Sequence, residues 1–272
     1  LHDCGKVATP EFVVDKSTKL ETIYDRINEV ETRFAVLQRD HEIKRLKKEL
    51  LIERDESLSH KDKKKKMDML KKDYRKTIRK IKNDLSFVQE SNVGGEFMSD
   101  DKKQRIHEIA QYRWKPNGKM QNFLSEDEIY NLTIPRGTLT PEERQVINDH
   151  IVVTINMLDE LPYPKHLKNI PEFAGGHHEK LDGTGYPKGL TKEEMSIQAR
   201  IMAIADIFEA LTARDRPYKK GKTLSQAMRI LGFMKDDAHI DVDLFDIFVK
   251  QKIYMKYAKG FLEPEQIDEV NI

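Results

Sequence analysis

The sequence predicts an all-α protein, a helical bundle that carries a long antiparallel helical hairpin, and three observations point that way. Apolar residues recur at steps of three and four, first as Leu20, Ile23, Ile27, Val30, Phe34 and Leu37, then as Met67, Leu70, Tyr74, Ile78, Ile81, Leu85 and Val88. No stretch alternates apolar and polar residues in the way a half-buried strand does. Charged residues make up 35% of the chain against 38% hydrophobic ones, a balance rich in exposed helix.

Taken in order, Leu1 to Pro10 reads as the end of a helix, because Gly5 follows a short mixed run and Pro10 blocks continuation. His2 and Asp3 then lie on adjacent edges near that end. The two periodic runs form the arms of the hairpin, spaced like a coiled coil. Between them, Ser57 to Lys66 has no apolar period and ends in four lysines, which reads as the polar tip. Asn92, Gly94 and Gly95 predict a loop from Ser91 to Gly95, followed by a short helix over about 100–114. Pro116-Asn117-Gly118 and Pro135-Arg136-Gly137 are turns, and Ser125-Glu126-Asp127-Glu128 is an N-cap with acids in the first turn.

Thr140-Pro141-Glu142-Glu143 opens a helix with proline at its first position, carrying Val146, Ile147, His150, Ile151, Ile155 and Leu158 near one face. His150 therefore points inward. A short helix around 167–174 leads into His177-His178-Glu179 and the glycine-rich turn Asp182-Gly183-Thr184-Gly185-Tyr186-Pro187. Residues 197–213 are apolar enough to be buried, yet contain Asp206; 225–231 and 244–258 are helical. The expected organisation is a discontinuous bundle of residues 1–20 and 139–272, an inserted hairpin over 21–90, and mixed turns and short helices over 91–138 linking back to the core.

Composition bounds the function. The 48 basic and 47 acidic residues nearly cancel, so no global field recruits nucleic acid or an anionic membrane. The run Lys63 to Lys66 has few aromatics around it and reads as a solvated face, not a DNA site. Cys4 is the one cysteine, which excludes an intramolecular disulfide and fits a reducing, cytoplasmic setting. No signal peptide or membrane-length apolar run is visible. The chain opens at Leu1 directly before His2-Asp3, which reads as the C-terminal part of a longer protein. Apolar seam beyond what the hairpin arms bury against each other would form a homodimer interface.

The chemistry gathers on His2, Asp3, His150, His177, His178 and Asp206. These residues offer nitrogen and oxygen donors without thiolate, a set that suits iron, manganese, zinc or nickel. Singly, His150 fits a hydrogen-bonded core histidine, and Asp206 fits a partner of Arg200 or Arg214; in company, a metal site explains them all. Asp3 can bridge two ions, and a pair of ions can bind both oxygens of a phosphodiester and activate hydroxide. Gly183 and Gly185 let the backbone come close to a ligand.

In this order, His2-Asp3-Cys4-Gly5-Lys6, His150, His177-His178-Glu179, Asp182-Gly183-Thr184-Gly185-Tyr186-Pro187 and Asp206 resemble the motifs of HD-GYP phosphodiesterases. Leu211-Thr212 and Arg216-Pro217-Tyr218-Lys219 continue the likeness. The similarity covers about residues 1–20 and 139–235. It implies an all-helical HD-type bundle with the hairpin as an insertion, a centre of two or three divalent ions, iron or manganese most often, and hydrolysis of a cyclic dinucleotide, cyclic di-GMP foremost. It makes His2, Asp3, His150, His177, His178 and Asp206 the metal ligands, with Asp3 bridging and catalytic. Lys6 would meet a substrate phosphate, Gly185-Tyr186-Pro187 would form the lip of the pocket, and Arg216 and Lys219 would contact phosphate. Two other readings stay open: a metal phosphohydrolase for another nucleotide, and a catalytically weak cyclic-dinucleotide-binding module that contacts a partner such as a diguanylate cyclase.

Overall fold

A computed structural model of the protein describes residues 2–95, 97–214 and 221–270. Among the described residues the regular structure is helical apart from one ribbon of two two-residue strands, an all-α fold. The chain divides into two compact units, one of Leu1–Asp15 with Glu142–Ile272 and the other of Lys16–Pro141. The first unit opens with a 3-10 turn over Cys4–Ala8 and α1 (Glu11–Val14), so His2 and Asp3 stand at the start of a turn where the sequence suggests a helix end.

In the second unit, α2 (Ile27–Arg54) and α3 (His60–Val93) form the hairpin. Ser59 accepts the amide of Asp62 at 3.2 Å, so α3 starts at once and the lysine run lies inside its first turns. The tip is therefore residues 55–59 and not the lysines, because a capped serine followed by strong helix formers favours helix over turn. At the other end Ser91 and Asn92, expected in a loop, complete the last turn, and Gly94 ends the helix at φ 70°. Buried Asn92 accepts the Leu20 amide at 2.8 Å and donates to the Asp25 carboxylate at 2.9 Å.

Residues after the hairpin close over its base. α4 (Asp100–Ala110) contributes Ile106 and Ile109 to a core with Leu20, Val30, Phe34, Ile81 and Val88. β1 (Arg113–Trp114) pairs antiparallel with β2 (Gln121–Asn122) around the Pro116 turn. Two residues per strand are too few to leave an alternating pattern in the sequence. α5 (Glu126–Leu132) is fixed by buried Glu128, which completes a capping box with Ser125 and takes both Nη groups of Arg33 at 2.7 and 2.8 Å.

Lys19 is also fully buried and donates to the carbonyls of Leu132 at 3.0 Å and Ile134 at 2.8 Å. Two acceptors match the two N–H bonds of a neutral amine. Burial, helped by nearby Lys102, pushes its pKa down from 10.5 to about 8. Between those values the unfolded chain holds a proton that the folded chain lacks, so stability rises with pH in that window. Relative to Lys19→Met, the wild-type chain should gain up to about 1.4 kcal/mol per pH unit there in urea melts. A constant difference across the window would remove the idea.

The first unit resumes with α6 (Pro141–Asn148), α7 (His150–Asp159), α8 (Ile170–Gly175), α9 (Ile197–Thr212), α10 (Leu224–Asp236), α11 (Val242–Lys250) and α12 (Ile253–Phe261). The single helix expected from Thr140 onward is broken at Asp149 into α6 and α7, and Val146 is exposed. Ile204 and Phe208 of α9 pack with Leu224, Met228, Leu231, Phe245 and Tyr254 in a second core. Beyond α12, buried Gln266 donates to the carbonyls of Thr212 at 2.8 Å and Lys222 at 3.0 Å. Among the described residues no helix is long and apolar enough to cross a membrane.

Candidate metal centre

The centre is built from four segments of the first unit. The turn after Asp3 lies against α7 because Gly5 donates its amide to Thr154 Oγ1 at 2.9 Å, and a Cβ on Gly5 would sit 2.0 Å from the His150 carbonyl oxygen. Only glycine permits this approach. α7 begins at buried His150, the end of α8 leads to buried His177 and half-buried His178, and α9 supplies half-buried Asp206.

Two groups of donors result, Asp3 with His150, His177 and His178, and His2 with His177 and Asp206, the donor atoms in each lying within 4.8 Å of one another. Asp3 Oδ1 is 3.1 Å from His150 Nε2 and 3.4 Å from His177 Nε2, while Asp3 Oδ2 is 3.7 Å from His2 Nε2. His2 Nε2 reaches Asp206 Oδ1 at 3.5 Å. Arg200, one alternative partner for Asp206, is engaged with buried Asp241 instead.

Protonation decides what can occupy this space. His150 and His177 each donate Nδ1–H to a carbonyl one turn back, of Ile147 and Ala174, which leaves the Nε2 lone pairs facing the Asp3 carboxylate. An acceptor then faces an acceptor. His177 Nε2 is buried without a hydrogen-bond partner, a costly state that a cation relieves. Burial, with His177 and His150 alongside, pushes the His178 pKa down to about 3, so this ring stays neutral and able to ligate. Burial raises the Asp3 carboxyl, but the Lys6 ammonium, whose Nζ donates to Oδ2, opposes it, and Asp3 is held ionised, below the usual carboxylate range. A neutral His178 imidazole and an ionised Asp3 carboxylate among further nitrogen and oxygen donors fit divalent ions.

The glycine-rich turn stands over the donors. Tyr186 stacks on His178 with centroids 4.9 Å apart and planes 21° apart, and its amide donates to the His178 carbonyl at 3.2 Å. Burial, then the charges of Asp206 and Asp3, raise the Tyr186 phenol to about 12. A Cβ on Gly185 would fall 2.3 Å from the Lys180 amide nitrogen. Asp182 Oδ1 accepts the Thr184 amide at 2.9 Å, an Asx turn. Buried Glu179 closes the loop by accepting the amides of Lys188 at 2.7 Å and Leu190 at 2.9 Å.

The structure thus gathers His2, Asp3, Lys6, His150, His177, His178, Gly185, Tyr186, Pro187 and Asp206 in one unit. Arg216 and Lys219 lie outside the described residues. Thr154 and the closing role of Glu179 go unforeseen in the sequence. Their partners are backbone amides, which carry no residue signature; the one available signal is a carboxylate directly beside two histidines.

A family model for the HD domain matches residues 125–244. The chain is 38% identical to a 3′3′-cGAMP-specific phosphodiesterase of Vibrio cholerae over 107 residues, which is 39% of this chain and 22% of that protein. It is 42% identical to a cyclic di-GMP phosphodiesterase of Thermotoga maritima over 93 residues, 34% of this chain and 25% of the relative. A cyclic di-GMP phosphodiesterase of Pseudomonas aeruginosa is 46% identical over 74 residues, 27% of this chain and 17% of the relative. The matched stretch thus spans a quarter or less of each relative's length. With the ordered donors converging as described, residues 125–244 are similar to the HD domain family, and the relatives the chain matches are cyclic dinucleotide phosphodiesterases.

Proposed function

We propose that the chain hydrolyses a cyclic dinucleotide, cyclic di-GMP foremost, with two divalent ions, iron or manganese, held by His2, Asp3, His150, His177, His178 and Asp206. The observation that carries this reading is the pair of donor groups sharing His177, with Asp3 ionised beside a neutral His178. When bound, such ions supply Lewis-acid charge and lower the pKa of water. Asp3 bridges the two donor groups and keeps its charge through Lys6, whose ammonium offers its remaining N–H bonds to a phosphate oxygen. The Tyr186 phenol stays protonated at neutral pH and so can donate to substrate from the lip formed with Gly185 and Pro187. Arg216 and Lys219 add positive charge for the second phosphate. The reducing setting implied by a lone Cys4, together with this substrate, supports a cytoplasmic location.

Elemental analysis of the purified chain coupled to a hydrolysis assay over cyclic di-GMP, 3′3′-cGAMP and cyclic di-AMP tests the proposal. Two ions per chain and metal-dependent turnover, fastest on cyclic di-GMP, are expected. Tight binding without turnover on a fully loaded sample would overturn hydrolysis in favour of a binding module that contacts a diguanylate-cyclase-type partner. Metal-dependent cleavage confined to other nucleotides would overturn the substrate.

Glu179 gives a more local expectation. Glu179→Ala leaves two loop amides without their acceptor, at about 1–3 kcal/mol, and loosens the lip without removing a donor. KM should rise about ten-fold with metal content unchanged. Loss of metal in that variant would move Glu179 from the lip to the metal cage.

A further inference from the structure

The far half of α2 is built inside out. Near the base of the hairpin its inner face is apolar, with Val30, Phe34 and Leu37 buried. Further along, that face carries His41, Arg45 and Glu49, with Arg45 over the Tyr74 ring at 5.0 Å and paired with Glu49 at 2.7 Å. The outer face there is apolar instead: Ile43, Leu46 and Leu50 are 49%, 45% and 52% exposed. Their spacing of three and four places them on one stripe, which half-buried Val36 extends by a heptad. Over Val36 to Leu50 the stripe runs about 21 Å along the helix. Isolated exposed leucines need no explanation, but a heptad stripe opposite a polar seam does.

We infer that this stripe pairs with the same stripe of a second copy of the chain, α2 against α2 in parallel and in register. The charges flanking it select that occupant. With Ile43 and Leu50 at a and Leu46 at d, Glu42 and Glu49 occupy the g positions and Lys47 and Arg54 the e positions. In a parallel pair each g residue faces the e residue five positions later in the other helix, so Glu42 meets Lys47 and Glu49 meets Arg54. An antiparallel pair would set glutamate against glutamate and base against base, which disfavours it. Glu49 is held close by Arg45 of its own chain at 2.7 Å, whereas the more exposed Glu42 meets the same arginine only at 3.8 Å, so Glu42 and Lys47 carry most of the choice. Two short heptads bury a modest area, and the association is accordingly weak and concentration-dependent. It does not rest on the hydrolytic reading, and its test is separate from activity.

Sedimentation equilibrium of the purified chain up to high micromolar concentration reads it out. The wild-type chain should show a reversible monomer–dimer equilibrium that Leu46→Glu combined with Leu50→Glu abolishes; both positions are exposed, so the fold is retained. Glu42→Lys alone and Lys47→Glu alone should each weaken dimerisation about ten-fold, since two attractive pairs per dimer become repulsive. The double charge swap should restore it. A wild-type chain that stays monomeric overturns the inference, as does a double swap no better than the single ones.

Discussion

Asp3→Ala should leave the chain without metal and lower cyclic dinucleotide hydrolysis by about 10³-fold or more, measured as ions per chain and kcat/KM on the same sample. The Asp3 carboxylate faces members of both donor groups: one oxygen lies near His150 and His177 and the other faces His2. Removing it leaves Asp206 as the one carboxylate among the proposed ligands, and Lys6 loses the carboxylate it bonds. Asp3→Asn is the sharper control, because it preserves shape and removes charge; it should behave almost as badly. Retained turnover in Asp3→Ala would sink the metal mechanism.

Gly5→Ala should be nearly as damaging, for a steric reason. The added Cβ would stand 2.0 Å from the His150 carbonyl oxygen and 2.6 Å from the Thr154 amide nitrogen, both backbone atoms of α7 that no rotamer can move. The turn after Asp3 must therefore lift from the helix that holds His150. A stability loss of about 3 kcal/mol is expected in denaturant melts, with metal loading lost alongside. Thr154→Val, which removes only the acceptor for the Gly5 amide, should cost about 1 kcal/mol and keep the metal. A fully loaded, undestabilised Gly5→Ala chain would show that the turn does not depend on this contact.

What the sequence discloses depends on how far each feature is written into side chains. The hairpin arms are legible because Val30, Phe34 and Leu37 on one side and Ile81 and Val88 on the other follow a helical period, and burial follows that period. The donors are legible as an ordered set of imidazoles and carboxylates. The start of α3 is less so, since a lysine run suits a tip and a helix equally until the Ser59 cap is seen. Ser91 and Asn92 look like loop residues, yet Asn92 is held in the helix by Leu20 and Asp25, residues far away in sequence. The break at Asp149 leaves no mark in an apolar period that runs across it. Glu179 and Thr154 serve backbone amides and are invisible to pattern reading. The polar inner face of distal α2 also escapes, because the apolar pattern loosens through Leu46 and Leu50 without showing which way those residues point.

Gln266 gives the segment that contains Arg216 and Lys219 an unusual foundation. Its one amide group grips Thr212 and Lys222, the two shores from which that segment departs, and so clamps together points ten residues apart in the chain. The two anchor points are thus held together by a side chain more than forty positions downstream. If Arg216 and Lys219 meet phosphate as proposed, substrate binding depends on how Thr212 and Lys222 are held. Gln266→Ala should keep its full complement of metal while substrate affinity falls, a separation of loading from binding that titration against elemental analysis would expose.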